Sequence, residues 1–80
     1  MEYKIEVRIE LKKGVMDAEG ETVKKSLNLL GYTATKVDTV KVYVLTVSAR
    51  SEKDALKQAE DACKKVLANP VINDYSISVI

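Results

Sequence analysis

Residues 35–48 read TKVDTVKVYVLTVS, and the disposition of this run decides the fold. It is β-branched almost throughout, yet it exceeds an ordinary strand of about five or six residues. Val40, Val42 and Val44 alternate onto one face, and Tyr43, Leu45 and Val47 onto the other. A strand that is apolar on both faces must be covered on both. Either Asp38-Thr39 bends the run into two short strands, or one long strand projects beyond the sheet of its own chain. In a two-layer protein the second cover has to come from another chain, because an uncovered apolar strand is an aggregation hazard. The run therefore predicts self-association, as a dimer or larger, through Val40, Val42, Tyr43, Val44, Leu45 and Val47.

The flanking segments read more simply. In YKIEVRIEL (residues 3–11), Tyr3, Ile5, Val7, Ile9 and Leu11 alternate with Lys4, Glu6, Arg8 and Glu10. That is the period of a strand with one face in a core and one in water. Gly14 marks the turn out of it. Asp17 then caps a helix with Glu19 and Glu21 in its first turn, where negative charge is favoured. Gly20, Val23, Leu27 and Leu30 fall on one stripe, and Gly31 offers the stop. Gly20 costs roughly 1 kcal/mol of helix propensity relative to Ala, which a close approach to neighbouring backbone would explain.

After the middle strand, SEKD (residues 51–54) has the pattern of a capping box with Ser51 as the cap and Asp54 reaching back. Ala55, Ala59, Ala62, Cys63 and Val66, assisted by Leu56 and Leu67, form the buried stripe of a second helix. Pro70 removes a backbone donor and biases Asn69 away from the α region, so this helix is expected to end near Ala68. Asn69 suits the strained residue just past that end. Val71 and Ile72 are expected to pack the corner, Asn73-Asp74 to turn into the last strand, and Tyr75, Ile77 and Val79 to alternate along it. The order strand, helix, long or split strand, helix, strand implies an α+β fold. It is a two-layer sandwich of the ferredoxin-like kind with an antiparallel-rich sheet, formed by one domain over residues 1–80. Such folds host many functions, so topology alone names none.

The chain has 80 residues, 46% of them hydrophobic, and a formal charge of +1 from 13 basic and 12 acidic side chains. Bulk electrostatics therefore points to no nucleic acid and no anionic membrane surface. The single cysteine, Cys63, excludes an internal disulfide and fits a reducing, cytoplasmic compartment. No apolar run approaches the length of a membrane span. Histidine, tryptophan and phenylalanine are missing, and no paired-cysteine motif, phosphate loop or metal-spaced ligand cluster is present. No catalytic, cofactor-binding or metal-binding residue is expected. Tyr3 and Tyr43 are too few aromatics for stacking single-stranded RNA on a sheet.

Two longer stretches carry a resemblance. LKKGVMDAEGETVKKSLNLLGY (residues 11–32) and LANPVINDYSISV (residues 67–79) resemble the PurS family, the small subunit of phosphoribosylformylglycinamidine synthase. The match rests on Lys13-Gly14-Val15, Asp17, Gly20, Val23, Leu27 and Leu30-Gly31-Tyr32, then on Leu67-Ala68-Asn69-Pro70-Val71-Ile72 and Asp74-Tyr75. Ala18 stands where the family usually has proline, Val40-Lys41 where it commonly has Gly-Lys, and Asn73 where it has glutamate. The resemblance implies a non-catalytic subunit in de novo purine biosynthesis. The complex it implies converts formylglycinamide ribonucleotide, ATP, glutamine and water to the amidine, ADP, phosphate and glutamate. It further implies a homodimer that joins a glutaminase subunit to a large synthetase subunit and supports ammonia transfer. ATP and magnesium are used by that complex rather than by this chain. Asn69, Pro70 and Asp74, within the more specific signature, are the candidate partner contacts. The rival readings are a small-ligand regulatory module of the ACT type and an RNA-binding α/β protein.

Overall fold

The alternation at the start of the chain is realised as strand β1 (Glu2–Leu11), with Ile5, Val7 and Ile9 buried and Lys4, Arg8 and Glu10 exposed. The computed structural model describes residues 1–80. Helix α1 (Ala18–Leu29), strand β2 (Lys41–Ser48), helix α2 (Glu52–Ala62) and strand β3 (Asn73–Val79) follow in order. The sheet order is β2-β1-β3, with β1 antiparallel to both neighbours. Opposed residues share a face, so the register Ile5–Leu45, Val7–Tyr43, Val7–Ile77 and Ile9–Tyr75 puts Tyr43, Leu45, Tyr75 and Ile77 on the core side. The other side carries Lys4, Glu6, Arg8 and Glu10 with Val42, Val44 and Ser76. The result is the expected α+β sandwich of the ferredoxin-like kind, here on three strands.

Direction decides what each helix does. Strands β2 and β3 both oppose β1 and so run parallel to each other, and a parallel pair needs a crossover. Helix α2 is that crossover and packs on all three strands. Its alanines allow a close approach: Ala55, Ala59 and Cys63 are fully buried against Ile5 and Val7, with Ala49 and Ala68 at the margins. Ser51 Oγ accepts from Asp54 N at 3.1 Å, and Asp54 Oδ2 accepts from Arg50 N at 3.4 Å. The carboxylate thus reaches back to the residue before the cap.

Helix α1 joins antiparallel neighbours, so it leaves and returns at one end of the sheet and need not cross it. It makes no comparable packing against any strand. With residues 30–40 it forms a projecting arm, and the molecule measures 51 × 24 × 14 Å with a radius of gyration of 16.0 Å. A compact chain of this length has about 12 Å. The expected stripe on α1 consequently has no cover from its own sheet: Val23 is 42% and Leu30 75% exposed. At the arm's tip Gly31 adopts φ +94°. Tyr32 N donates to Leu27 O and Gly31 N to Asn28 O, both at 3.1 Å, a Schellman closure of the helix.

Three expectations change. Residues 35–40 form no ladder, so the middle run is one strand from Lys41 with an unpaired lead. Asn73 and Asp74 belong to β3, opposite Leu11 and Glu10, rather than to a turn before it. Val66 is 80% exposed instead of buried. After Ala62 the helix widens into a π turn over Cys63–Leu67, in which Ala68 N donates to Cys63 O at 2.9 Å. The wider turn carries the buried stripe from Ala59 and Cys63 to Leu67 and Ala68, leaves Ala62 half-buried, and swings Val66 to solvent.

The close approach inferred at Gly20 is present: a Cβ there would collide with the Val37 carbonyl oxygen and with the Asp17 carboxylate. Overpacking against backbone costs about 1–3 kcal/mol and outweighs the roughly 1 kcal/mol that alanine gains in helix propensity. Gly20→Ala should lower the melting temperature by several degrees, about 4–8 °C per kcal/mol at this size. A rise in melting temperature would contradict the packing at the arm's root.

Candidate partner-binding surfaces

Two regions remain after the core is assigned: the corner between α2 and β3, and the root of the arm. At the corner, Ala68 is extended at φ −119°, ψ 144°, and the helix ends where Pro70 requires. Asn69 is not strained, since no non-glycine residue has positive φ. Its side chain instead closes the turn, Oδ1 accepting from Val71 N at 3.0 Å. Its carbonyl accepts from Ile72 N at 3.1 Å and Asn73 N at 2.7 Å. Asn73 completes the network, Oδ1 accepting from Asn69 N at 2.8 Å and Nδ2 donating to Glu10 O at 3.3 Å. Ile72 O accepts from Lys12 N at 2.8 Å, which ties the corner to β1.

The side-chain oxygens of Asn69 and Asn73 are thus consumed inside the turn, and the Asn73 side-chain nitrogen is bound to β1. Val71, expected to pack the corner, is 78% exposed, and Ile72 is 37% exposed. The outward features are Pro70, Val71 and the Asp74 carboxylate, which lies 3.6 Å from Lys12 Nζ with 69% of its side chain exposed. Sequence reasoning placed Pro70 and Asp74 on the surface but missed Val71, because an apolar residue after a helix end reads as packing unless the turn's hydrogen bonds are known.

The self-association residues do not form one patch. Leu45 and Val47 pack half-buried against the core, and Tyr43 lies on the same side at 38% exposure. Val42 and Val44, at 50% and 55%, face the other side beside the charged row of β1, where Arg8 Nε donates to Glu10 Oε1 at 2.8 Å. Val40 sits half-buried in the unpaired lead.

Asp17 holds the root. One carboxylate oxygen accepts from Gly20 N at 2.8 Å and the other from Thr39 N at 2.6 Å. The start of α1 is thereby clamped to the chain that returns into β2. These bonds, that of Gly20 first, hold the Asp17 carboxyl below its ordinary range. A depressed carboxyl stabilises the fold fully above its unfolded pKa of about 3.9 and loses that contribution as pH falls through the folded value. The stability gap between the wild type and Asp17→Asn should therefore be widest near neutral pH and close in acid below about pH 4. A gap independent of pH would assign the effect to shape rather than charge.

No catalytic group emerges. Cys63 is fully buried and burial, then Glu60, pushes its thiol upward. The native thiol should resist alkylation at pH 8 under conditions that fully modify free cysteine, and mass spectrometry reads the outcome directly. No three His, Cys, Asp or Glu side chains are grouped to hold a metal ion, and no helix is long and apolar enough to cross a membrane.

With its projecting arm and rigid corner, this is a small α+β protein of the class that presents docking surfaces. Comparison with known proteins gives that class a family. Residues 4–80 match the family model described as PurS: Phosphoribosylformylglycinamidine (FGAM) synthase. The synthase subunit PurS of Archaeoglobus fulgidus is 51% identical over 90% of this chain and 91% of its own. PurS of Methanocaldococcus jannaschii, solved as one of the subunits of formylglycinamide ribonucleotide amidotransferase, superposes with a TM-score of 0.86. That pair is 43% identical over 98% of this chain and 95% of the other. A chain in the structure of PurLQS from Thermotoga maritima is 26% identical with a TM-score of 0.90, covering 100% and 99%. The chain belongs to the PurS family and is the small, non-catalytic subunit of the ATP-driven, glutamine-dependent ligase of purine biosynthesis.

Proposed function

We propose that this chain, as one PurS domain over residues 1–80, joins a PurQ-like glutaminase to a PurL-like synthetase and supports passage of ammonia between them. The observation that carries this reading is its likeness, along its whole length, to a chain of the Thermotoga maritima PurLQS assembly. Glutamine hydrolysis and ATP- and magnesium-dependent activation of the amide then belong to the partners, in the cytoplasm. This chain supplies surface. The corner suits that task because its backbone is already held by Asn69 and Asn73, so little entropy is lost when Pro70, Val71 and Asp74 dock. Asn69 contributes by fixing the turn. Self-association uses the apolar residues around β2, with Val42 and Val44 outermost.

Asp74→Ala isolates docking from folding. Its exposed pair with Lys12 belongs to a class that contributes about 0–1 kcal/mol, so the melting temperature should shift by only a few degrees. Affinity for the partner subunits in titration calorimetry should fall about tenfold, about 1.4 kcal/mol, and glutamine-dependent synthesis should fall with it. Wild-type affinity would remove Asp74 from the partner surface.

A further inference from the structure

The corner offers its carboxylate in one direction, and a neighbouring side chain fixes that direction. Asn73 and Asp74 open β3 opposite Leu11 and Glu10, and consecutive strand residues point to opposite faces. Asn73 therefore lies half-buried on the side of Ile9 and Tyr75, while Asp74 points to the open side with Glu10. The Asn73 side chain joins three segments at this point. Its Oδ1 accepts from Asn69 N at the end of α2 at 2.8 Å, and its Nδ2 donates to Glu10 O on β1 at 3.3 Å. Its own backbone N donates to Asn69 O at 2.7 Å. The ion pair of Asp74 with Lys12 does not hold the direction by itself. It spans 3.6 Å with 69% of the Asp74 side chain exposed, and such pairs gain little against the entropy of fixing two side chains.

We propose that Asn73 is a positioning residue for partner docking. Its amide sets the register at which β3 enters the sheet, and so the face on which Asp74 meets the partner subunit. The inference rests on the docking of Asp74 proposed above and adds the group through which that docking is controlled. A slip of one residue in strand register turns every side chain to the other face. The entry to β3 is where packing opposes a slip least, because Pro70, Val71 and Ile72 before it are exposed. The amide is matched to its place, since one end must accept from a backbone N–H and the other must donate to a backbone carbonyl. A carboxylate there would keep the first bond and set its second oxygen against the Glu10 carbonyl. An alkyl side chain would keep neither. The partner thus meets a surface whose geometry is fixed before contact, and loss of the amide weakens docking without removing any group the partner touches.

A double-mutant cycle on affinity tests it, with the full chain titrated into the purified glutaminase and synthetase subunits. Asn73→Ala and Asp74→Ala should each weaken binding about tenfold, and the double variant should also be weakened about tenfold, since a residue that acts through another has nothing left to add. A loss of about a hundredfold in the double variant would show independent contributions and overturn the positioning role. Asn73→Asp supplies the same cycle if Asn73→Ala melts below the assay temperature, because it retains the bond from Asn69 N. Glutamine-dependent turnover should return to the wild-type rate when either Asn73 variant saturates the other subunits. A rate that stays low at saturation would also overturn the proposal. Wild-type affinity in both Asn73 variants, with Asp74→Ala weakened, would remove Asn73 and leave the corner as a docking surface. Wild-type affinity in Asp74→Ala would overturn both readings.

Discussion

The parallel relation of β2 and β3 is the constraint from which the rest follows. It forces α2 to cross over the sheet, and α2 then supplies the whole helical layer. The alanine face follows from that duty, because a single helix covering three strands must sit close. Burial of Ile5, Val7, Ala55, Ala59 and Cys63 in one contact is the core of the protein. The antiparallel relation of β1 and β2 releases α1 from the same duty. One sheet thus yields a helix that closes the core and a helix that leaves it.

The π turn shows how a small change of helical pitch alters a surface. An uninterrupted α-helix would have carried the stripe from Ala59 through Ala62 to Val66. Five residues of wider turn instead place Leu67 and Ala68 inward, immediately before Pro70. The apolar residues released to solvent, Val66 and Val71, flank the corner in sequence. The corner's rigidity has a separate origin in the two asparagine side chains, whose oxygens are bound within the turn while the Asn73 nitrogen is bound to β1. A rigid turn with an apolar exterior and one exposed carboxylate is suited to docking without rearrangement.

Local chemistry was the legible part of the sequence. The period-2 pattern of β1, the caps at Asp17 and Ser51, the stop at Gly31 and the end forced by Pro70 each depend on neighbouring residues, and each is found where it was read. Gly20 was legible in a subtler way, since a helix-breaking residue inside a periodic pattern implied a backbone neighbour that proved to be Val37. The departures share another cause. Whether residues 35–40 find a ladder partner, whether α1 lies on the sheet, and where Val66 points are decided by long-range geometry that periodicity does not encode. Val42 and Val44 show both sides: their separation by the sheet from Tyr43 and Leu45 could be read from the alternation, but not which of the two faces α2 would cover. Of the corner, Pro70 and Asp74 could be placed on the surface, whereas the exposure of Val71 depended on hydrogen bonds that bridge to Glu10.

The central position of β1 also sets the order in which the protein is completed. Its first neighbour, β2, is made soon after it, but its second, β3, arrives last, with Val79 opposite Ile5 and Asn73 opposite Leu11. During synthesis β1 and β2 can pair with the arm already formed, while α2 has only part of its platform. Contacts so distant in sequence close slowly, because a long loop must be ordered before they are made. A nascent chain halted before β3 would expose one edge of β1 and part of the alanine face of α2. The last strand thus completes the sheet, and a chain truncated within it would leave the second edge of β1 unpaired.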